Sequence, residues 1–264
     1  MKVKDYISAI LKKINTPEMR ILPCNIAFFL VLALIPIITM AVVVVSYFSV
    51  SMDIIVNFIN SLVPSEVSET IIDAVFTNGY DSSISIFNII ALFGASNGTY
   101  AIITAANTLY KVKEADQLKD RIKSFILLIL LIGLIVFLIV VPMFGSRLLS
   151  LFGNGELVKD VRLVYSLAKW PLTIFLIYFT LKVIYTIAPG VKISSKNTTV
   201  GARFTTIIWT LITFVFGYYL KHFANYSAIY GSLSNLIILV IWLYVISYVF
   251  VIGLAINAYK SNDK

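Results

Sequence analysis

Residues Ser124–Ser146 read SFILLILLIGLIVFLIVVPMFGS, a run with no charged side chain between Lys123 and Arg147. As a helix rising about 1.5 Å per residue, this run crosses a hydrocarbon core of roughly 30 Å. The rest of the chain is of the same kind. Hydrophobic residues make up 59% of the 264, charged residues 13%, and the mean hydropathy is +0.94. Soluble domains carry roughly 25% charged residues, so this chain could not cover a water-facing surface. The composition is that of a polytopic membrane protein.

Five further spans are placed by the same criterion. The first is the apolar body Ile26–Phe48 inside the charge-free Ile21–Met52, and the second is Ser82–Tyr110. Trp170–Ala188 is interrupted by Lys182, and Phe204–Leu220 is short but sufficient. The last begins near Asn235, because the preceding Asn225–Ser234 is polar and contains glycine. The expected fold is all-α: one domain over residues 1–264 with six transmembrane helices.

Positive charge sets the orientation. With both termini in the cytoplasm, the inner side gains Lys2, Lys4, Lys12, Lys13 and Arg20, then Lys111, Lys113, Lys119, Arg121 and Lys123. It also gains Lys182, Lys192, Lys196, Arg203, Lys260 and Lys264. Only five of the 21 basic residues remain outside: Arg147, Lys159, Arg162, Lys169 and Lys221. The outer segment Asp53–Asp81 holds acids and no base. This bias also accounts for the net charge of +8 without invoking nucleic acid.

Segments between the spans have patterns of their own. Val3, Tyr6, Ile7, Ile10, Leu11 and Ile14 repeat at helical spacing among lysines, so residues 1–20 read as an amphipathic helix lying in the inner interface. Residues 53–81 read as an external helical hairpin, with Ser65 able to cap its second arm after Pro64. Glu156–Lys169 extends the fourth span outward. The first twenty residues do not have the form of a cleaved signal peptide.

The chemistry these residues offer is narrow. The single Cys24 and single His222 exclude a CxxC site and a His-rich metal cluster. HExxH, Walker, GxSxG and dinucleotide-binding patterns are all missing, and the acids fall in loops or at interfaces. No enzymatic activity, cofactor or metal is expected. Lys182 is the one ionisable residue inside a span and lies close enough to the inner end to snorkel. Gly94 and Gly98 form GxxxG, which marks a helix-packing surface, and Asn97, Ala101, Thr104 and Thr108 continue a small and polar stripe. Such a stripe either packs helices or lines a polar cavity. Pro36 and Pro142 free backbone carbonyls within their spans, and Trp242, Tyr244 and Tyr248 enrich the last span in aromatics.

Three blocks of the chain resemble the YihY/BrkB family of bacterial inner-membrane proteins. The first runs from Asn25-Ile26-Ala27-Phe28-Phe29 to Leu34-Ile35-Pro36. The second runs from Phe93-Gly94-Ala95-Ser96-Asn97-Gly98 to Asn107-Thr108-Leu109-Tyr110-Lys111-Val112. The third is the most specific: Ser227 to Leu233 around Tyr230-Gly231, then Ile241-Trp242-Leu243-Tyr244, then Gly253 to Asn257. Their order and spacing cover nearly the whole chain. The resemblance implies six transmembrane helices in a bacterial cytoplasmic membrane, but no settled activity. Members have carried a ribonuclease label, which no residue here supports, and have been linked to virulence, envelope lipid export and salt tolerance. Asn97 stands where the family often has Arg, and Ala255 where it has an intramembrane Glu, so both departures are expected to remove charge from the core.

These readings lead to a multi-pass protein that acts as a permease or lipid translocase on an amphipathic or lipidic substrate. The expected path is lined by Asn25, Ser96, Asn97, Thr104, Tyr230, Asn235 and Asn257, with Lys182 drawing anionic headgroups. The alternative is a membrane scaffold for envelope assembly that transports nothing. Membrane lipids are the expected partners, nucleic acid is not, and the sequence is compatible with a homo-oligomer.

Overall fold

The computed structural model describes residues 16–46, 56, 86–113, 116–151, 156–222 and 234–262. These residues form α-helices and no strands. In chain order the helices are α1 (Pro17–Ser46), α2 (Ile86–Leu109), α3 (Gln117–Leu151), α4 (Glu156–Ile187), α5 (Ser195–His222) and α6 (Ser234–Asn262). Each overlaps one of the six charge-poor runs. Within α4, the mixed-charge Glu156–Lys169 and the apolar run after it are continuous through Pro171. Of the 1–20 segment, residues 1–15 lie outside the described residues and Pro17–Arg20 open α1, and the 53–81 hairpin, apart from Val56, also lies outside.

Local chemistry sets the helix ends. Pro17 occupies the first position of α1, where its missing N–H costs nothing, and Glu18 follows in the first turn. Asp116 caps α3, its Oδ1 accepting from the N–H groups of Leu118 (3.2 Å) and Lys119 (3.1 Å). The Lys119 ammonium donates to the same carboxylate at 2.9 Å. That hydrogen bond, with the backbone one, holds the Asp116 carboxyl below its ordinary range. The end of α2 is a Schellman turn: Val112 N donates to Asn107 O (2.9 Å) and Lys111 N to Thr108 O (3.2 Å). Lys111 takes the left-handed position usually given to glycine, with φ of 55°. Pro189 and Gly190 stop α4.

Each helix packs on the next, and α6 returns to α1, closing a ring; α1 also meets α3, and α2 meets α6. The larger core draws on every helix, from Met19, Leu22 and Ile26 through Ala101–Ala106, Leu127, Leu181 and Tyr185 to Ala202 and Phe250–Ala258. A smaller core of Ala33, Ile37, Ala95, Leu128 and Ile132 seals α1, α2 and α3. The outside of the ring is also apolar. Ile21, Phe28, Ile129, Ile207 and Phe214 are all more than half exposed, which suits a surface that meets lipid. Among the described residues, Ser195–Phe216 and Ile237–Ser261 are long and apolar enough to cross a membrane, and Pro171–Ile187 is a shorter apolar run.

Candidate functional site

Two glycines bring α5 and α6 together. A methyl group added at Gly201 would overlap the carbonyl of Gly253, and one added at Gly253 would overlap the Thr205 hydroxyl. The backbones therefore meet where neither residue has a side chain, as in close-packed membrane helices. Polar groups complete the contact. Gly201 N donates to Asn257 Oδ1 at 2.8 Å, and the Tyr185 hydroxyl of α4 donates to Phe250 O at 2.8 Å. The same hydroxyl lies 2.8 Å from Thr205 Oγ1. Trp209 Nε1 donates to Ile246 O at 2.9 Å. Asn257 Nδ2 is buried and has no hydrogen-bond partner among the described residues.

A second polar cluster ties the α2–α3 and α4–α5 connections at one end of the ring. Asn107 Nδ2 donates to Asp120 Oδ2 at 2.7 Å, while Asn107 Oδ1 accepts from Gly190 N at 2.6 Å. Lys123 Nζ donates to Pro189 O at 3.0 Å and stands 4.0 Å from Asp120. Asp120 is buried, so these partners hold a carboxylate that water does not reach. Gly190 is required for this approach, because a Cβ there would lie 3.0 Å from Asn107 Oδ1.

The expected path residues that are described lie at separate places. Ser96 is buried and donates to Phe93 O of its own helix (2.6 Å), and Thr104 is exposed and donates to Tyr100 O (3.0 Å). Asn25 is half-buried, and Asn257 is committed to Gly201. Tyr230 and the side chain of Asn235 lie outside the described residues. The packing surface also needs correction. Gly98 meets α1, with Ala33 Cβ 3.1 Å and Phe29 O 3.3 Å from a Cβ built on it. Gly94 is exposed, and a Cβ there would meet nothing within 4 Å, because one helical turn rotates it off the α1 contact. Thr99, not singled out by the sequence, makes one of the α2–α3 bonds by donating to Ser124 O at 2.7 Å.

Arg121 was counted among the cytoplasmic loop bases, yet it lies in the first turns of α3 and its side chain reaches across to α2. Its Nη1 donates to Asn97 Oδ1 at 2.9 Å, and its guanidinium stands 4.0 Å from the Phe93 ring centroid. The substitution at Asn97 therefore does not leave that place without charge. Ala255 packs in the apolar core.

The centre of the ring holds an apolar cavity of about 110 Å³. All six helices wall it, among them Leu30, Ile102, Leu131, Ile177, Trp209 and Phe250. None of the described path residues lines it. Thr180, Ser247 and Trp209 are the polar residues in its wall, and Ser247 Oγ is buried with no partner among the described residues. Lys182 lies elsewhere, in an open groove of about 460 Å³ on the outer face of α4. Among the described residues no group of three or more His, Cys, Asp or Glu is placed to hold a metal.

Comparison with known proteins gives the family. The profile of the family described as virulence factor BrkB matches residues 10–264. The chain belongs to the BrkB family. It is 30% identical over 245 residues to the ribonuclease-like protein YfkH of Bacillus subtilis, covering 91% of this chain and 89% of that one. It is 30% identical over 112 residues to a UPF0761 membrane protein of Coxiella burnetii, covering 39% of this chain and 40% of the relative. A UPF0761 membrane protein of Tolumonas auensis is 32% identical over 124 residues, covering 45% of this chain and 41% of the relative. No solved structure matches. As a BrkB-family member with an apolar exterior, the chain is a membrane protein.

Proposed function

We propose that this BrkB-family protein moves a lipidic or amphipathic molecule between the two sides of a bacterial cytoplasmic membrane. On this reading all six helices span the bilayer, with both termini in the cytoplasm. The central cavity carries the proposal. A bundle that serves only as a frame has no need of a void at the one place where all six helices meet, since close packing is the ordinary state of protein interiors. This void is lined with hydrocarbon and two hydroxyl-bearing side chains, which suits an acyl segment better than an ion or a sugar. The absence of a carboxylate from its wall argues against proton-coupled titration at that point.

The scaffold reading also has an observation in its favour. Several polar groups expected on a path are instead used within the bundle, Ser96 on Phe93 O, Thr104 on Tyr100 O and Asn257 on Gly201 N. One assay separates the two readings. Purified protein in vesicles should speed transbilayer movement of labelled lipid above that of empty vesicles, and Ser247→Leu, which fills the cavity, should slow it. Wild-type vesicles no faster than empty ones across several lipid classes would leave the scaffold.

A further inference from the structure

Two open grooves adjoin on the outer face of the α4–α5 pair. One, of about 460 Å³, is lined by Phe175, Tyr178, Phe179, Lys182, Thr186 and Ser195 among others. The other, of about 490 Å³, shares Phe175 and Tyr178 and adds Ile174, Arg203, Thr206 and Ile207. Together they make one channel with a charge on each flank. Lys182 and Arg203 form no ion pair with any described residue, and no described carboxylate lines either groove. Measured along the helices from Ile187 and Ser195, the two cations lie roughly 8 and 12 Å in from the basic end of the ring.

That placement is unfavourable for a cation left to itself. Two long basic side chains one or two turns inside a lipid-facing surface must reach water or meet a negative group. Beyond them, towards the middle of α4, the surface turns to hydrocarbon. Phe175 and Phe179 are more than half exposed and stack with ring centroids 6.4 Å apart, and Ile207 is exposed opposite them. Thr186 and Ser195 supply hydroxyls at the basic end of the groove. From the basic end inward, hydroxyls, positive charge and then aromatic hydrocarbon follow the order of parts in a phospholipid with a polyol headgroup: headgroup alcohol, phosphate and acyl chain.

We infer that the α4–α5 groove is a binding site for one anionic phospholipid of the leaflet at the basic end, with its phosphate between Lys182 and Arg203. The acyl chains lie along Phe175, Phe179 and Ile207. The site is separate from the central cavity and requires only a bilayer around the bundle. A vesicle assay that shows no lipid movement would leave it standing.

Full-length protein in neutral detergent, titrated with phosphatidylglycerol or phosphatidylcholine and followed by native mass spectrometry, should retain the anionic lipid preferentially. The double variant K182Q/R203Q should lower that preference roughly tenfold, as expected for two basic contacts at a membrane surface. K192Q/K196Q removes the same charge from the neighbouring segment and should change the preference by no more than about twofold, because exposed charges are screened. Equal losses in the two double variants would assign the preference to net charge and overturn the site, as would full retention in K182Q/R203Q. Photo-crosslinking gives a second measurement that keeps both cations in place. A crosslinker at Phe179 should label phosphatidylglycerol more than one at Phe28, which is exposed on α1. Equal labelling from both positions would also overturn the site.

Discussion

Two faces of α5 run side by side along one helix and are built in opposite ways. The buried face carries Gly201, Thr205 and Trp209, one turn apart: Gly201 and Trp209 are hydrogen-bonded to Asn257 and Ile246 O of α6, and Thr205 to the Tyr185 hydroxyl of α4. The neighbouring face carries Arg203, Ile207, Leu211 and Phe214, each of them exposed. On the first face the side chain is removed at the point of crossing, and hydroxyl, amide and indole groups complete the bonds. On the second, large apolar groups and a cation face outward, with Arg203 and Ile207 along the groove shared with α4. Lipid is no less apolar than a helix surface, so hydrophobic residues alone do not bring membrane helices together. Small residues and hydrogen bonds do, which is why α5 closes on α6 and leaves a groove beside α4.

The largest expected effect tests the closed face at its tightest point. Gly253→Leu places a branched side chain where Thr205 and the Tyr185 hydroxyl already sit. It should cost about 3 kcal/mol or more, a drop of roughly 10 °C in the melting temperature in detergent. A variant that melts with wild type would mean that α5 and α6 do not cross there.

A second test contrasts two glycines on α2. Gly98→Leu should lower stability by roughly 1–3 kcal/mol, because Ala33 and Phe29 O of α1 lie against it. Gly94→Leu should change stability by less than about 0.5 kcal/mol, since the space around it is open. Thermal melts of the two variants in the same detergent decide the matter. Equal destabilisation would restore the full GxxxG surface.

These tests mark what the sequence could and could not disclose. Charge-poor runs locate helices because burying a charge in hydrocarbon is costly, and the described residues of each run are helical save Tyr110 and Ala188 at their ends. The GxxxG spacing pointed to a small face on α2, but a four-residue step on a helix of 3.6 residues per turn drifts around the axis, so the pattern could not say which glycine touches a neighbour. Gly201 and Gly253 each stand alone in the sequence, and only the crossing of two distant helices joins them. Asn257 was visible as an intramembrane amide, but its use as an acceptor for Gly201 N depends on that same crossing. Arg121 was assigned to a loop because its neighbours Lys119 and Lys123 are charged. In the structure α3 starts at Gln117, so the Arg121 side chain lies along α2 and reaches Asn97. The central cavity had no sequence signature, since its lining is spread over all six helices.

The smallest expected effects compare the two faces of α5 directly, two residues apart in sequence. Thr205 meets the Tyr185 hydroxyl, which also donates to Phe250 O, so Tyr185→Phe removes both bonds without changing the ring. Buried hydrogen bonds between membrane helices are worth about 1 kcal/mol, and a loss of that order is expected. Arg203 points away from this contact into the open groove and pairs with no described residue. In detergent, where no lipid headgroup is supplied, Arg203→Gln should therefore shift stability by less than about 0.5 kcal/mol. Added anionic lipid should then stabilise wild type more than the variant, because only wild type offers the second cation. If Arg203→Gln destabilises the lipid-free protein as much as Tyr185→Phe does, then Arg203 belongs to the packing of the bundle. The distinction between a closed and an open face of α5 would fail at that residue.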